Sequence, residues 1–206
     1  MLDVVGQSPG QVVNPLLLCY SKKRSYREGT TMNQGLIHIY CGDGKGKTSA
    51  AIGLAVRAAG CGMKVLFARF LKTESSGELK VLDEIPQITV LHLERSYGFF
   101  WTLTEEEKEE VRKMYGELWD RISGEIEQGT WDMLVIDEFM AAYRYGLIAR
   151  DEALRFLREK PKELEIVLTG RDPDESLVEL ADYVSEIRKV KHPFDRGIRA
   201  RKGIEY

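Results

Sequence analysis

The sequence predicts an α/β fold built on a mostly parallel β-sheet with helices on both faces. From residue 35 onward, short apolar segments alternate with longer segments of helical spacing. Such strand–helix–strand units favour parallel strands with right-handed crossovers. Apolar segments such as 133–136 and 166–168 are almost continuous, which is typical of parallel strands covered on both faces.

The predicted elements follow one another in regular order. The strand candidates are residues 36–41, 64–70, 88–93, 132–137, 165–169 and a last one near 184–189. The helix candidates are residues 47–60, 75–84, 104–128, 150–159 and 174–182. Thr104 precedes three glutamates, so we predict that it caps the third of these helices. Ligands should gather at the carboxyl ends of the strands.

Residues 1–34 differ from the rest because they combine glycine, proline and a basic patch without any periodicity. We predict that 1–34 is a disordered or loosely packed extension and that 35–206 forms a single domain. An N-terminal arm that lies over the active site is the alternative. The short apolar run at 16–18 precedes the basic residues, whereas a signal peptide has the opposite order.

Composition narrows the class of protein. A net charge of −3 gives no reason to expect nucleic acid as the main partner. Cys19, Cys41 and Cys61 are isolated from one another, which favours a reducing cytoplasm over a disulfide framework. No apolar run approaches the roughly 20 residues that span a bilayer, so we expect no membrane association.

A glycine-rich loop lies between the first strand and the first helix, as in a phosphate-binding P-loop. Its glycines allow backbone N–H groups to turn towards phosphate oxygens. Lys47 adds a positive charge and Thr48 a hydroxyl ligand for Mg²⁺ at the helix N-terminus. The predicted nucleotide-binding residues here are Gly42, Asp43, Gly44, Lys45, Gly46, Lys47, Thr48 and Ser49.

This loop is a variant, because the usual pattern has glycine where this chain has Cys41. Gly42 and Gly44 are therefore expected to make the turn. A tight connection with no ligand is the alternative interpretation. The loop nevertheless predicts that the chain binds a nucleoside triphosphate, and the fold class becomes P-loop NTPase-like (RecA-like).

A second nucleotide signal is the apolar strand that ends in Asp137 and Glu138. A Walker B end of this kind places carboxylates opposite the P-loop, where they can hold Mg²⁺ directly or through water. We therefore predict a site for Mg²⁺ (or Mn²⁺) formed by Thr48, Asp137 and Glu138. Either acid could instead cap the helix that follows.

Further candidate residues lie outside these two motifs. Arg171 follows the next buried strand and could grip a phosphate, or it could be a surface arginine after a turn. Arg57, on the first helix, is either an anion contact or a surface charge. The aromatic residues 99–101 suit a platform for a large flat ligand, although such clusters more often form core or dimer interface. The basic tail, 190–206, could order over the nucleotide or cover a sheet edge.

Together these segments resemble the P-loop ATP:corrinoid adenosyltransferases. The resemblance rests on residues 42–48, 135–138, 169–171 and 190–197, in order and at compatible spacing, and it covers about 35–206. It implies transfer of the 5′-deoxyadenosyl group of ATP to Co(I) of a reduced corrinoid. Co(I) attacks C5′ of the ribose and the whole triphosphate leaves, so ATP lies along the loop in the reverse sense.

The resemblance also implies roles for individual residues. Thr48 and Glu138 match the pair that holds Mg²⁺, and Lys47 matches the lysine of the phosphate loop. Phe99 and Trp101 match aromatic residues on the lower face of the corrin, where displacing an axial ligand makes Co(I) accessible. Arg57 and Arg171 match basic residues near the polyphosphate. A homodimer and a reducing partner such as a flavoprotein or flavodoxin are further implications.

Two other classes of function remain open from the residues alone. One is another P-loop NTPase or a kinase. Kinases of this size usually have a lid with several arginines, and we find no such segment. A RecA-like motor could use Glu138 as its catalytic glutamate. The other is a nucleotide-dependent switch whose aromatic loop contacts a protein. The phosphate products of ATP distinguish these three classes.

Overall fold

The structure is a computed structural model that describes residues 34–71, 76–93 and 100–205, without the side chain of Trp101. Residues 1–33 of the predicted extension (1–34) and the predicted site residue Phe99 lie outside this described part. The strands are β1 (Ile37–Cys41), β2 (Val65–Arg69), β3 (Ile88–His92), β4 (Met133–Asp137), β5 (Glu165–Thr169) and β6 (Tyr183–Glu186).

These six strands form one sheet in the order β3-β2-β4-β5-β1-β6, and every neighbouring pair is parallel. The predicted parallel sheet is therefore confirmed. Strand β5 lies between β1 and β4, which carry the two predicted nucleotide motifs. All three strands end at the same edge, so the residues that follow them converge there.

The helices are α1 (Lys47–Gly60), α2 (Gly77–Asp83), α3 (Glu105–Glu127), α4 (Phe139–Arg144), α5 (Arg150–Glu159) and α6 (Glu175–Leu180), with 3₁₀ turns at Phe100–Thr102 and Pro193–Arg196. Helix α4 was not predicted. It has only six residues, four of them buried, and this is too short for a helical period to stand out from the apolar strand before it.

Alternate residues of the strands face two separate cores, one on each side of the sheet. On one side, Leu66, Leu134 and Ile166 pack with apolar residues of α3, α4 and α5. On the other, Phe67 and Val135 pack with α1 and α2. The predicted helices on both faces are thus present, and the central strands β2 and β4 are buried throughout.

The last strand differs from the prediction near 184–189, because it ends at Glu186. The reason lies in the next residue. The Ile187 N–H still donates to Cys41 O at 2.8 Å, but its carbonyl accepts from the N–H of Gly44, at 2.7 Å. The chain therefore leaves the sheet and passes over the glycine-rich loop.

Helix α3 begins as the sequence predicts. The Thr104 hydroxyl accepts from the N–H of Glu107 at 3.3 Å, and the Glu107 carboxylate accepts from the Thr104 N–H at 2.9 Å. This reciprocal capping box satisfies two backbone donors that the helix itself leaves unpaired. Among the helices that the structure describes, none has the length and apolar character needed to cross a membrane.

Candidate functional site

The glycine-rich loop joins β1 directly to α1, which begins at Lys47. Gly42 and Gly46 adopt positive φ angles of 102° and 123°, a conformation that favours glycine. The two predicted turn glycines therefore differ, because Gly42 has a positive φ whereas the φ of Gly44, which lies in a bend of the loop, is not positive. Cys41, just before the loop, is buried, and this burial raises the pKa of its thiol.

Gly44 is required for a different reason, namely close approach of the chain after β6. A Cβ atom at Gly44 would lie 2.7 Å from the Ile187 carbonyl oxygen, and one at Gly42 only 2.4 Å from the same atom. Both distances are far shorter than van der Waals contact, and the neighbouring atoms are backbone. The segment after β6 thus packs against the loop so tightly that only glycine fits.

Lys47 and Thr48 begin α1 where the loop ends. The Lys47 ammonium donates to the Gly44 carbonyl at 2.8 Å, which holds its charge over the loop. At a helix N-terminus, unpaired backbone N–H groups and the helix dipole both favour an anion. Both side chains are half-buried, whereas Asp43, Lys45 and Ser49 are exposed. The predicted phosphate-binding residues therefore lie together between the end of β1 and the first turn of α1.

Asp137 connects this loop to the ends of two other strands. One carboxylate oxygen, Oδ1, accepts from the Thr48 hydroxyl at 2.8 Å and from the Thr169 hydroxyl at 2.7 Å. Asp137 is fully buried. Thr48 follows β1, Asp137 ends β4 and Thr169 ends β5. The structure thus brings the predicted acid and the predicted hydroxyl together at the carboxyl edge of the sheet, as expected.

Glu138 has an unusual backbone conformation for a residue that is not glycine. Its φ and ψ are 61° and 27°, and its N–H donates to the Thr169 hydroxyl at 3.0 Å. Its side chain makes no capping hydrogen bond to α4, so it does not act as the structural cap considered above. A left-handed conformation at such a residue is unfavourable, and strained positions of this kind cluster at functional sites.

The donor set fits a magnesium ion rather than a softer metal. Thr48, Asp137 and Glu138 offer only oxygen atoms, which Mg²⁺ prefers. Within 34–71, 76–93 and 100–205 there is no group of three or more His, Cys, Asp or Glu side chains that could hold a metal by itself. This agrees with an ion that takes its remaining ligands from substrate phosphates and water.

The two candidate arginines have different positions. Arg171 is exposed just after β5 and Gly170, at the same edge as the loop, and its charge contributes to lowering the pKa of Asp43. Arg57 is exposed in the last turn of α1, ten residues after Lys47 and so about 15 Å along the helix axis. Arg171 lies at the edge that carries the loop, whereas the phosphate role of Arg57 stays a prediction.

The chain after β6, including the basic tail, also lies against the loop. The Lys189 N–H donates to the Asp43 carboxylate at 2.8 Å, and this hydrogen bond is the main reason that the pKa of Asp43 is lowered. Lys45 pairs with Glu205 at 3.0 Å. Hydrogen bonds from Arg201, and then from Lys45, lower the pKa of Glu205 to about 2.

The aromatic segment is described only in part. Residues 100–102 form a 3₁₀ turn. The ring of Phe100 is stacked on Tyr145 with 4.9 Å between centroids and packs against the core. For Phe100 the structure therefore supports a packing role. Phe99 and the Trp101 side chain are not among the described groups, so their role as a corrin platform stays a prediction.

Two residues near Asp137 were not singled out from the sequence as site residues. Thr169 was noted only as the end of a strand, yet its hydroxyl contacts Asp137 and the Glu138 backbone. Arg69 ends β2 and is 1% exposed. The sequence carries only a weak signal for it, a single charged residue at the end of the otherwise apolar strand VLFAR, because arginine at a strand end is usually exposed.

Comparison with known proteins agrees with this geometry. The corrinoid adenosyltransferase of Escherichia coli (strain K12) is 35% identical over 174 residues, which are 84% of this chain and 86% of that protein. The corrinoid adenosyltransferase CobA of Salmonella typhimurium is 34% identical, with the same coverage. Both relatives therefore align along most of their own length.

A solved structure shares the fold of this chain, and a family profile matches its sequence. The fold is similar to that of ATPases 2 and 3 of Thermomonospora curvata EccC, with a TM-score of 0.50 and 14% identity, over 80% of this chain and 33% of that longer chain. This confirms the predicted P-loop NTPase-like fold. A sequence profile of the ATP:corrinoid adenosyltransferases matches residues 33–206. The chain therefore belongs to the ATP:corrinoid adenosyltransferase BtuR/CobO/CobP family.

Proposed function

We propose that this protein transfers the 5′-deoxyadenosyl group of ATP to Co(I) of a reduced corrinoid, in the synthesis or salvage of adenosylcobalamin. The observation that carries the proposal is the junction of the phosphate loop with the Asp137 cluster, in a chain of this family. In the reaction, the Co(I) electron pair forms a bond to C5′. The C5′–O bond breaks, and its electrons leave with the triphosphate.

The loop residues bind the triphosphate and so place C5′. Lys47 and the backbone N–H groups at the start of α1 hold the phosphate oxygens, and Arg171 adds charge at the same edge. ATP lies along the loop in the reverse sense. Two observations support an unusual loop: Cys41 replaces the customary glycine, and the Gly44 N–H is already donated to Ile187.

Thr48 and Glu138 hold Mg²⁺ (or Mn²⁺), and Asp137 acts beside them. The Thr48 hydroxyl donates its single hydrogen to Asp137, so the lone pairs of its oxygen face away from the carboxylate. The bound ion supplies positive charge that stabilises the leaving triphosphate. Glu138 directly follows Asp137 in the sequence, and its left-handed backbone sets the direction of its side chain.

Phe99 and Trp101 form the apolar surface for the lower face of the corrin. A hydrophobic face displaces the lower axial ligand of cobalt and so makes reduction of Co(II) feasible. Trp101→Ala should therefore slow turnover that starts from cob(II)alamin plus reductant more than turnover from preformed cob(I)alamin. Anaerobic initial rates in the two assays measure this difference.

A suitable control for that experiment is Trp131→Phe. Trp131 lies just before β4, at the opposite edge of the sheet, and donates to Glu125 at 3.3 Å. This variant should affect both assays equally. Equal losses in both assays for Trp101→Ala would mean that Trp101 only packs the fold.

The N-terminal extension is not required to bind ATP in this proposal. Deletion of residues 1–31 should leave the affinity for Mg-ATP unchanged, because every contact of the loop described above comes from residues 42–205. Isothermal titration calorimetry of the full and shortened chains measures this directly. A large loss of affinity would show that the segment is an arm of the active site.

The same proposal extends to the oligomeric state, the electron donor and the cellular location of the enzyme. A homodimer, a flavoprotein or flavodoxin as electron donor, and a cytoplasmic location all fit the family and the reduced state that a Co(I) substrate demands. Cys41 and Cys61 are free thiols in the structure, as a reducing compartment would keep them. Light scattering of the purified protein tests the dimer.

The function itself is tested by anaerobic absorbance spectroscopy with cob(I)alamin, ATP and Mg²⁺. We expect the spectrum of a cobalt–carbon bond to appear and then to disappear on exposure to light. A second reaction that contains Lys47→Ala provides the control for uncatalysed alkylation. Consumption of ATP without any light-sensitive corrinoid would overturn the proposal.

A further inference from the structure

Asp137 and its neighbour Arg69 are the two most deeply buried charged residues in the described part of the sheet. Arg69 ends β2 and pairs in register with Asp137 at the end of β4. Its side chain has no solvent exposure. Removing a guanidinium from water is costly unless opposite charges and hydrogen bonds replace the solvent.

Two carboxylates surround this guanidinium. Nη2 donates to the Glu78 carboxylate at the start of α2. Nε lies 3.5 Å from Asp137 Oδ2. Nε and Nη1 have no hydrogen-bond partner among the residues that the structure describes. The arginine is thus held between the carboxylate of Glu78 in α2 and the carboxylate of Asp137 at the end of β4.

The two oxygens of Asp137 have separate tasks. Oδ1 accepts from the hydroxyls of Thr48 and Thr169, while Oδ2 faces Arg69. A carboxylate that is held at only one oxygen can rotate about its terminal bond. With charge contacts at the second oxygen, that rotation is opposed, and Oδ1 stays directed at the Thr48 hydroxyl.

We propose that Arg69 is a positioning residue for the Mg-ATP site. It fixes Asp137 through Oδ2, so that Asp137 orients the Thr48 hydroxyl towards the metal, and through Glu78 it connects α2 to the same site. This inference rests on the proposed function only in taking Mg-ATP as the ligand. Arg69 itself touches neither ATP nor the metal.

The test compares ATP affinity with and without the metal. Calorimetry gives the Kd of ATP in Mg²⁺ and in EDTA, and their ratio measures how much the metal strengthens binding. Arg69→Met removes the charge and keeps much of the volume. We expect this variant to lower the ratio by about tenfold, the smaller end of effects seen for residues behind a metal ligand, while the Kd in EDTA changes little.

The matched control is Arg155→Met, the same substitution at an exposed position of α5. It should keep the wild-type ratio. Thermal melting of each variant shows whether it is folded. If Arg69→Met does not fold, Glu78→Gln decides, because it weakens one contact of Arg69 and should lower the ratio in the same direction.

An unchanged ratio in folded Arg69→Met overturns the inference, and so does an unchanged ratio in Glu78→Gln if Arg69→Met is unfolded. An equal loss of affinity in Mg²⁺ and in EDTA also overturns it, because that result is what general damage to the site would give. Failure of the proposed function is seen separately, since a wild-type protein that binds Mg-ATP but alkylates no corrinoid would still show the metal-dependent ratio.

Discussion

Replacing Lys47 with alanine should abolish ATP binding. In the structure its ammonium donates to the Gly44 carbonyl at 2.8 Å, so the charge is held over the loop before any ligand arrives. Charged hydrogen bonds contribute roughly 1.5–3 kcal/mol each, and the loss of two such bonds to phosphate oxygens weakens binding by about 100-fold or more. Isothermal titration calorimetry with Mg-ATP measures the effect.

Lys64→Ala is the control for this variant. Lys64 is exposed and precedes β2, at the edge of the sheet opposite the loop, so its loss should leave ATP affinity unchanged. If Lys47→Ala bound ATP as tightly as the wild type does, the assignment of residues 42–48 as a phosphate loop would be wrong.

The second large effect is expected for Gly44→Ala. The added Cβ would lie 2.7 Å from the Ile187 oxygen and 2.8 Å from the Arg188 carbonyl carbon, and both are backbone atoms. The loop and the segment after β6 must therefore separate, which also breaks the hydrogen bond from the Gly44 N–H. We expect a loss of roughly 1–3 kcal/mol in the free energy of unfolding, together with weaker ATP binding.

Gly53→Ala provides a control of opposite sign. Gly53 lies inside α1, and a Cβ there would have no neighbour within 4 Å. Alanine stabilises a helix interior by roughly 0.5–1 kcal/mol relative to glycine. Thermal melting should therefore show a lower Tm for Gly44→Ala and an unchanged or higher Tm for Gly53→Ala. A Gly44→Ala variant with wild-type stability would mean that the segment after β6 does not pack on the loop.

The sequence was most informative where function and fold depend on local patterns. The apolar runs located β4 and β5, because both faces of a central parallel strand must be apolar. The sequence also predicted that the loop at 42–48 and the acids at 137–138 lie close together. The loop follows one strand and the acids come at the end of another, and both strands belong to one parallel sheet. Thr104 and the three glutamates after it predicted the N-cap of α3, and the structure adds that this cap is a capping box.

Contacts between distant segments could not be predicted in this way. The approach of Ile187 to Gly44 joins residues that only the strand order brings together, with β6 beside β1. For the same reason, neither the burial of Arg69 nor its pairing with Asp137 was predicted, because both depend on the register of β2 against β4.

In the proposed reaction, this P-loop exposes C5′ of ATP rather than the γ-phosphate. The most direct test of this reaction is ³¹P NMR of the phosphate products after anaerobic turnover with cob(I)alamin and Mg-ATP, with the corrinoid product measured in the same sample. If Co(I) attacks C5′, we expect one intact tripolyphosphate for each cobalt–carbon bond formed. ADP and orthophosphate, without a cobalt–carbon bond, would contradict it and would show that the loop serves an NTPase or a kinase.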